Sequence, residues 1–512
     1  MMKNIKFLLL FFAALFSAQQ TLLQDPIAES SLSNDKKLTS SMAKNYHSTS
    51  YFTENITNLE QNFTIKLPGG KDISAIFQKR YSYTNQSSSA TYKILGDPEA
   101  ELVFSEYNKV ITGMYLSGEG EKYMFSQTAP SILAVSLVNE QLLIDQDDKN
   151  DTLVEPLNII GAKNTLSNPN VCNTATLCPN TTIDVMVVYT TAAKNAYGSV
   201  SLSNSNITTA ITNFNVALVN SGVSNVTINL VYSGEIVYTE SGNLGTDLPR
   251  LRNPTDGFMD DVQNLRSLYG ADLVGLITAT PTSTCGLGYV NTNPTNYDSD
   301  LAYTATVSSC VVSNYSLAHE MGHNMGLRHD WYVDSSTTPC EHQHGYVNRV
   351  AITNGSTGAN SKKWRTIMAY NNECSDNGFT CTRRNFWSNP SVNYNADPTG
   401  IAIGQFEPSH ETYGFARFAC VVSTFATPLS LITKEAFIED FSIYPNPVKD
   451  ILYINVPKNE EYNFSIITAT GRNIAKTKSK NISVKGYETG VYYLVIYDKK
   501  NQLIGTRKFI VE

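Results

Sequence analysis

The stretch "SLAHEMGHNMGLRHDW", residues 316–331, holds three of the chain's seven histidines, His319, His323 and His329. Neutral imidazoles are metal ligands, and a carboxylate beside one can move protons. His319 and His323 are spaced i,i+4, so on a helix both rings lie on one face a single turn apart. Leu317 and Met321 repeat that spacing, and Ser313 or Asn314 is available as the helix N-cap. Gly326 then ends the helix, because glycine takes the left-handed conformation without a Cβ penalty. A chain that turns back there can deliver His329 as a third ligand. Three nitrogen ligands leave one position of a tetrahedral zinc ion open, which is the arrangement of a catalytic site. Glu320 gives such a site its chemistry. Zinc lowers the pKa of a bound water from about 15.7 to about 7. Glu320 can take the proton as the oxygen adds to a carbonyl and pass it to the departing amine.

The elements that must position these residues can be traced along the 512 residues. "MMKNIKFLLLFFAALFSAQQ" has a basic start, an apolar run and a small-residue end, a secretory signal peptide (1–18) with cleavage expected after Ala18. Its apolar run is shorter than the roughly 20 residues a membrane span needs, and no later run approaches that length, so no stable membrane span is expected. Residues 19–170 alternate short apolar runs with polar turns and read as β-rich. From 183 to about 330 strands alternate with helices: "IDVMVVYT", "VTINLVYSG" and "DLVGLIT" as strands, "ITTAITNFNVALVNSG" and "GFMDDVQNLRSLYGA" as helices. The expected fold is thus an α/β block with a mixed sheet and an active-site helix, spanning 171–425. A linker (426–439) and a small all-β sandwich (440–512) follow.

All eight cysteines lie between Cys172 and Cys420, so the central block is braced and its flanks are not. An even count in an exported chain reads as disulfides, with Cys374–Cys381 the best single pairing. A net charge of -8 with no basic stripe argues against nucleic-acid binding. Hydrophobic residues at 41% are enough to build real cores.

Chance places H-E-x-x-H-x-x-G-x-x-H in on the order of one in 10⁵ to 10⁶ chains of this composition. "HEMGHNMGLRHD" together with "RTIMAY" resembles the metzincin zinc endopeptidases. Asp330 after the third histidine points to their adamalysin or reprolysin branch. "CGLGYV" and "RNFWSNP" are similar to bacterial peptidyl-Asp metalloendopeptidases. The resemblance covers residues 183–425 and implies zinc held by His319, His323 and His329, with Glu320 catalytic and Met368 beneath the metal. Tyr370, two residues on, matches a tyrosine that some metzincins use at zinc, although packing is the preferred reading. Cys172 has the place of a zymogen cysteine that caps zinc in some relatives. The nearby Cys178 favours a disulfide there instead. His342 and His344 are spaced for a second metal, but a loop role near the cleft is preferred.

The position of residues 19–170 between signal and catalytic block makes them the natural prosegment. "YPNPVKDILYIN", "TGRNI" and "GVYYLVIYDKKNQLIGTRKFI" resemble the sorting domain of type IX secretion substrates. That implies passage to the outside of a Gram-negative cell and contact with the type IX machinery. The resulting expectation is a secreted zinc-dependent endopeptidase acting on extracellular proteins or peptides. Two alternatives stay open: a surface adhesin that uses the fold for binding, and a zinc amidase acting on cell-wall peptides.

Overall fold

The computed structural model describes residues 20–56, 58–144, 151–153, 169–280, 284–294, 296–426, 441–456, 461–468, 473–499 and 503–512. The expected signal peptide and nearly all of the expected linker lie outside the described residues.

Residues 20–138 build a ten-stranded sheet in which neighbouring strands from Phe63–Lys66 to Ile132–Val138 pair antiparallel. The strand Tyr46–Glu54 then adds to Ile132–Val138. Strand alternation sends Phe104 and Phe125 to one face, where they pack with Phe63 and Tyr92. It sends Met114 and Met124 to the other face, into a core shared with the following block. The expected β-rich character is therefore present, with one face committed to the region that carries the histidines.

That region is built on a six-stranded mixed sheet. In chain order its strands are β1 (Thr152–Leu153), β2 (Thr181–Thr190), β3 (Val226–Ile236), β4 (Leu273–Thr278), β5 (Gly286–Tyr289) and β6 (Tyr303–Val307). Their order across the sheet is β1-β5-β6-β4-β2-β3. β5 runs antiparallel to β6, and the remaining neighbours are parallel. β4, "LVGLIT", is buried throughout, as a parallel strand covered on both faces must be.

Helix α1 (Val200–Asn220) lies between this sheet and the N-terminal one. Ile207, Ile211, Phe214 and Leu218 supply its apolar stripe. Its other buried residues are largely polar, and the N-terminal sheet bonds three of them, Ser205, Thr209 and Thr212. Thr112 bonds Ser205 and Thr209 at 2.9 and 3.0 Å, and Tyr83 and Ser89 each bond Thr212 at 2.8 Å.

Helix α2 (Ser316–Asn324) carries the histidine pair and is buried along its whole length. Gly275 in β4 allows its close approach, since a Cβ there would lie 3.1 Å from Leu317 and 3.3 Å from Met321. Asn324 anchors its far end by donating to the carbonyls of Tyr289, Leu301 and Tyr303.

Four disulfides pair all eight cysteines: Cys172–Cys340, Cys178–Cys420, Cys285–Cys310 and Cys374–Cys381. The expected Cys374–Cys381 bridge is present. Cys172 is in a disulfide, but its partner is Cys340 and not Cys178. Residues 441–512 form a three-stranded and a four-stranded sheet around a separate core that includes Leu452, Phe464, Leu494 and Phe509. No helix among the described residues is long and apolar enough to cross a membrane.

Candidate metal centre

The turn after α2 is built as expected, and the helix start is not. Gly326 has φ +84°, its N–H donates to His323 O, and the Leu327 N–H donates to Gly322 O. This paired closure satisfies two of the helix's last carbonyls. It also aims Leu327 O back at the helix, where His323 Nδ1 meets it at 2.8 Å. At the other end neither Ser313 nor Asn314 caps. The N-cap is Tyr315, in the left-handed region at φ 56° with no side-chain cap bond. The Ser313 hydroxyl donates instead to Ser309 O, and the Asn314 amide to Ser316 Oγ. The carbonyl of Ser313 accepts from Lys122 of the N-terminal sheet at 2.7 Å.

The three predicted histidines converge. His319 Nε2 and His323 Nε2 lie 3.2 and 3.0 Å from His329 Nε2, and all three rings are buried. His319 Nδ1 faces the Ile367 carbonyl at 2.9 Å, as His323 Nδ1 faces Leu327 O. A carbonyl only accepts, so in both rings Nδ1 carries the proton and Nε2 presents its lone pair inward. Burial lowers both pKa values, that of His323 to about 4, which keeps the rings neutral. Lone pairs this close repel each other unless a cation sits between them. Nitrogens around a tetrahedral zinc ion, at Zn–N of ~2.0–2.1 Å, stand about 3.3 Å apart. The residues present therefore fit a metal ion of that kind.

The surroundings fix each ring. His329 stacks on Tyr370, with ring centroids 4.2 Å apart. Its carbonyl accepts from His344 Nδ1 at 2.6 Å. Asp330 Oδ1 accepts from the Tyr370 N–H at 2.7 Å, tying the third-ligand loop to the turn that holds Met368. Burial raises the Asp330 pKa to about 6. Met368 packs under the helix, its sulfur 2.9 Å from where a Cβ on Gly322 would stand. His342 and His344 are both buried, so they support the loop from within and do not face a cleft. Both ring nitrogens of His344 face carbonyl oxygens, those of His329 and Ser336.

Glu320 is buried against β5. A Cβ on Gly286 would stand 2.2 Å from Glu320 Oε1, and one on Gly288 3.2 Å from Oε2. The two glycines of "CGLGYV" thus make the space that the carboxylate occupies. In the sequence, "CGLGYV" carries only the family resemblance and gives no sign of this packing role.

One residue is hidden in the sequence altogether. Asp151 places Oδ1 2.9 Å from His329 Nε2 and Oδ2 3.2 Å from His319 Nε2, and it completes a buried group of four potential ligands. Its position in the acidic run "DQDDKNDTLVE" gave no signal that would single it out.

Residues 179–387 match the model of metallo-peptidase family M12, and residues 442–512 match a secretion system C-terminal sorting domain. A peptidyl-Asp metalloendopeptidase of Stenotrophomonas maltophilia is 42% identical over 223 residues, covering 43% of this chain and 48% of that protein. One from Xanthomonas campestris is 38% identical over 223 residues, covering 43% and 47%. One from Pseudomonas fragi is 34% identical over 175 residues, covering 34% of this chain and 83% of that protein. The chain spans about half the length of the Stenotrophomonas and Xanthomonas relatives.

Proposed function

The chain belongs to metallo-peptidase family M12, and on that premise we propose that it is a zinc-dependent endopeptidase hydrolysing peptide bonds of extracellular proteins. The sorting domain marks it for export, to be secreted or attached at the outer surface. One observation carries the catalytic reading: the Nε2 atoms of His319 and His323 both lie within 3.2 Å of His329 Nε2, with Glu320 on the same helical turn. His319, His323 and His329 would hold the ion. When bound, zinc would supply Lewis acidity, lowering the pKa of water to about 7 and polarising the scissile carbonyl.

The chain's own residues do the rest. The carbonyls of Ile367 and Leu327 hold two imidazoles in the ligating tautomer. Gly286 and Gly288 leave Glu320 room beside the helix. Its carboxylate takes the proton of the attacking water, then delivers it to the nitrogen of the departing amine. Burial strengthens each of these electrostatic contacts. Tyr370 acts as a packing partner of His329.

Residues 19–170 serve as the prosegment in this reading. The hydroxyl-rich bonding between the N-terminal sheet and α1 supports that role, because α1 can present Ser205, Thr209 and Thr212 to water once the sheet departs. The name of the relatives, peptidyl-Asp metalloendopeptidase, supports including aspartate-directed cleavage in the proposal.

The test is casein hydrolysis and a peptide-library digest with the processed enzyme. Glu320→Ala is expected to lower kcat by about 10²–10⁴ with zinc still bound. His323→Ala is expected to lose the zinc as well. Hydrolysis that survives Glu320→Ala or exhaustive chelation would sink the reading and favour a binding role.

A further inference from the structure

The catalytic block buries three arginines in one place, Arg365, Arg383 and Arg384. Arg365 and Arg383 are register partners on the paired strands Trp364–Arg365 and Thr382–Arg383. Arg383 bridges the two elements that flank the metal centre. Its Nη1 donates at 3.1 Å to Asn314 O, just ahead of α2, and its Nη2 at 3.2 Å to Ala369 O, next to Met368. The Arg365 guanidinium donates to the same Ala369 carbonyl and to Cys381 O. One turn of chain thus presents Ile367 O to His319 and Ala369 O to both arginines.

Buried cations need anionic or carbonyl partners, and much of what answers these three comes from residues 19–170. Against burial, which raises it, Lys122, Arg365 and Arg384 hold the Glu140 carboxyl below its ordinary pKa. Glu140 also accepts from Lys122 at 2.8 Å and from Thr382 Oγ1 at 3.3 Å. Arg384 donates to the carbonyls of Ser117 and Gly118 at 2.6 and 2.8 Å, with Glu101 in its field. Within the block, Asp330 feels Arg365, but its Oδ1 is committed to the Tyr370 N–H. When the N-terminal region departs, two carboxyl groups leave with one ammonium. A cationic cluster stays behind beside the turn that holds Met368. The planar fork of a guanidinium matches a carboxylate with two parallel hydrogen bonds, so a carboxylate is the ligand such a cluster takes.

We propose that Arg383 is the specificity residue of the cleft: its guanidinium, flanked by Arg365, takes the carboxylate of an acidic substrate side chain next to the scissile bond. Glu140, a carboxylate already seated beside the cluster, shows that the place accepts such a group. This inference rests on the endopeptidase and prosegment readings above and adds to them the residue that selects the side chain.

For the experiment the full chain is expressed for export and left to process itself. Then kcat/KM is measured for acetylated, amidated peptides that carry Asp, Asn or Ala at one position, so that the side chain is their only carboxylate. The unmodified enzyme is expected to favour Asp over Asn by at least about tenfold. Arg383→Gln keeps N–H donors for the two carbonyls and loses the charge. It is expected to abolish that preference and to cleave the Asn and Ala peptides within about threefold of the unmodified enzyme. Arg383→Lys, which keeps the charge without the fork and disturbs the fold least, is expected to fall between. An Asp preference that survives either change undiminished would overturn the proposal. So would equal cleavage of the Asp and Asn peptides by the unmodified enzyme, or cleavage that needs a free α-carboxylate in place of the side chain. These outcomes leave the zinc reading standing, whereas a processed enzyme that cleaves none of the peptides overturns both.

Discussion

Two cysteine-free β regions flank the metal centre, and they relate to it in opposite ways. The N-terminal sheet shares a core with the catalytic block, contributing Met114, Met124 and Val138. It bonds to α1, reaches the carbonyl of Ser313 just ahead of α2, and is followed by Asp151 among the histidines. The C-terminal module keeps its own core, drawn entirely from residues 441–511. It meets the block at the periphery, where the Asn473 N–H donates to Asp261 Oδ1 at 3.0 Å. Similar alternation of apolar and polar residues therefore builds a sheet fused to the core of the catalytic block in one place and a sorting domain with its own core in the other. The buried polar contacts at the boundary make the difference, and alternation does not encode them.

The sharpest way to break this contrast is Lys122→Ala. The Lys122 side chain is 1% exposed, donates to Ser313 O, and pairs with Glu140 at 2.8 Å. Burial lowers its pKa and Glu140 pushes it back up. Removing the ammonium leaves a buried carbonyl and a mostly buried carboxylate without their cation. Such losses cost about 2–4 kcal/mol. Thermal melts of the full Glu320→Ala chain are expected to show that loss, together with earlier proteolytic removal of the N-terminal sheet. A change within experimental error would mean the sheet is no more firmly docked than the C-terminal module.

How far the site could be read from sequence follows the same division. The histidine spacing, the Gly326 turn and the Cys374–Cys381 bridge were legible because each depends on residues within a few positions of one another. The cap at Ser313 or Asn314 failed because both side chains are engaged locally and Lys122, from another sheet, takes the Ser313 carbonyl. The reading of Cys172 as a disulfide cysteine held, but its partner could not be read, because nearness to Cys178 was the only cue. The true partners are 168 and 242 residues away. Asp151 was invisible for the same reason, since its place among the histidines exists only once β1 lies along β5. The central strands and α1 were readable from periodicity, but the polar face of α1 has meaning only against the sheet that covers it.

Glu101 sharpens the comparison through pH. Its carboxylate accepts from Asn220 of α1 at 2.7 Å, at the junction of the N-terminal sheet and the block. Burial raises its pKa to about 7, against the opposing pull of Asn385, Arg384, Asn220 and Lys122. A carboxyl whose folded pKa is raised imposes no penalty below its unfolded value of about 4.5, where both states are protonated. The penalty grows between about 4.5 and 7 and is complete above that window. Docking of the sheet is thus expected to weaken as pH rises from 5 to 7.5. Glu101→Gln removes the ionisation, so it should stabilise the full chain at pH 7.5 and have little effect at pH 5. Equal effects at the two pH values would show that the carboxylate is solvated and that this junction is looser than its burial indicates.

The smallest effect is expected where the C-terminal module touches the block. Asp261→Ala removes the acceptor for the Asn473 N–H and an acidic residue from the first turn of the helix Asp261–Tyr269. One part-buried hydrogen bond and one helix-dipole contact together contribute about 1 kcal/mol. That loss should appear in the stability of the block and leave unchanged the zinc content and the affinity for acetohydroxamate, a small bidentate zinc ligand. Truncation after residue 426 should likewise spare both quantities, because the module's core contains no side chain from the block. A truncated chain that lost zinc, or bound acetohydroxamate differently, would show that the module reaches the metal centre as the N-terminal sheet does, and the contrast between the two flanks would collapse.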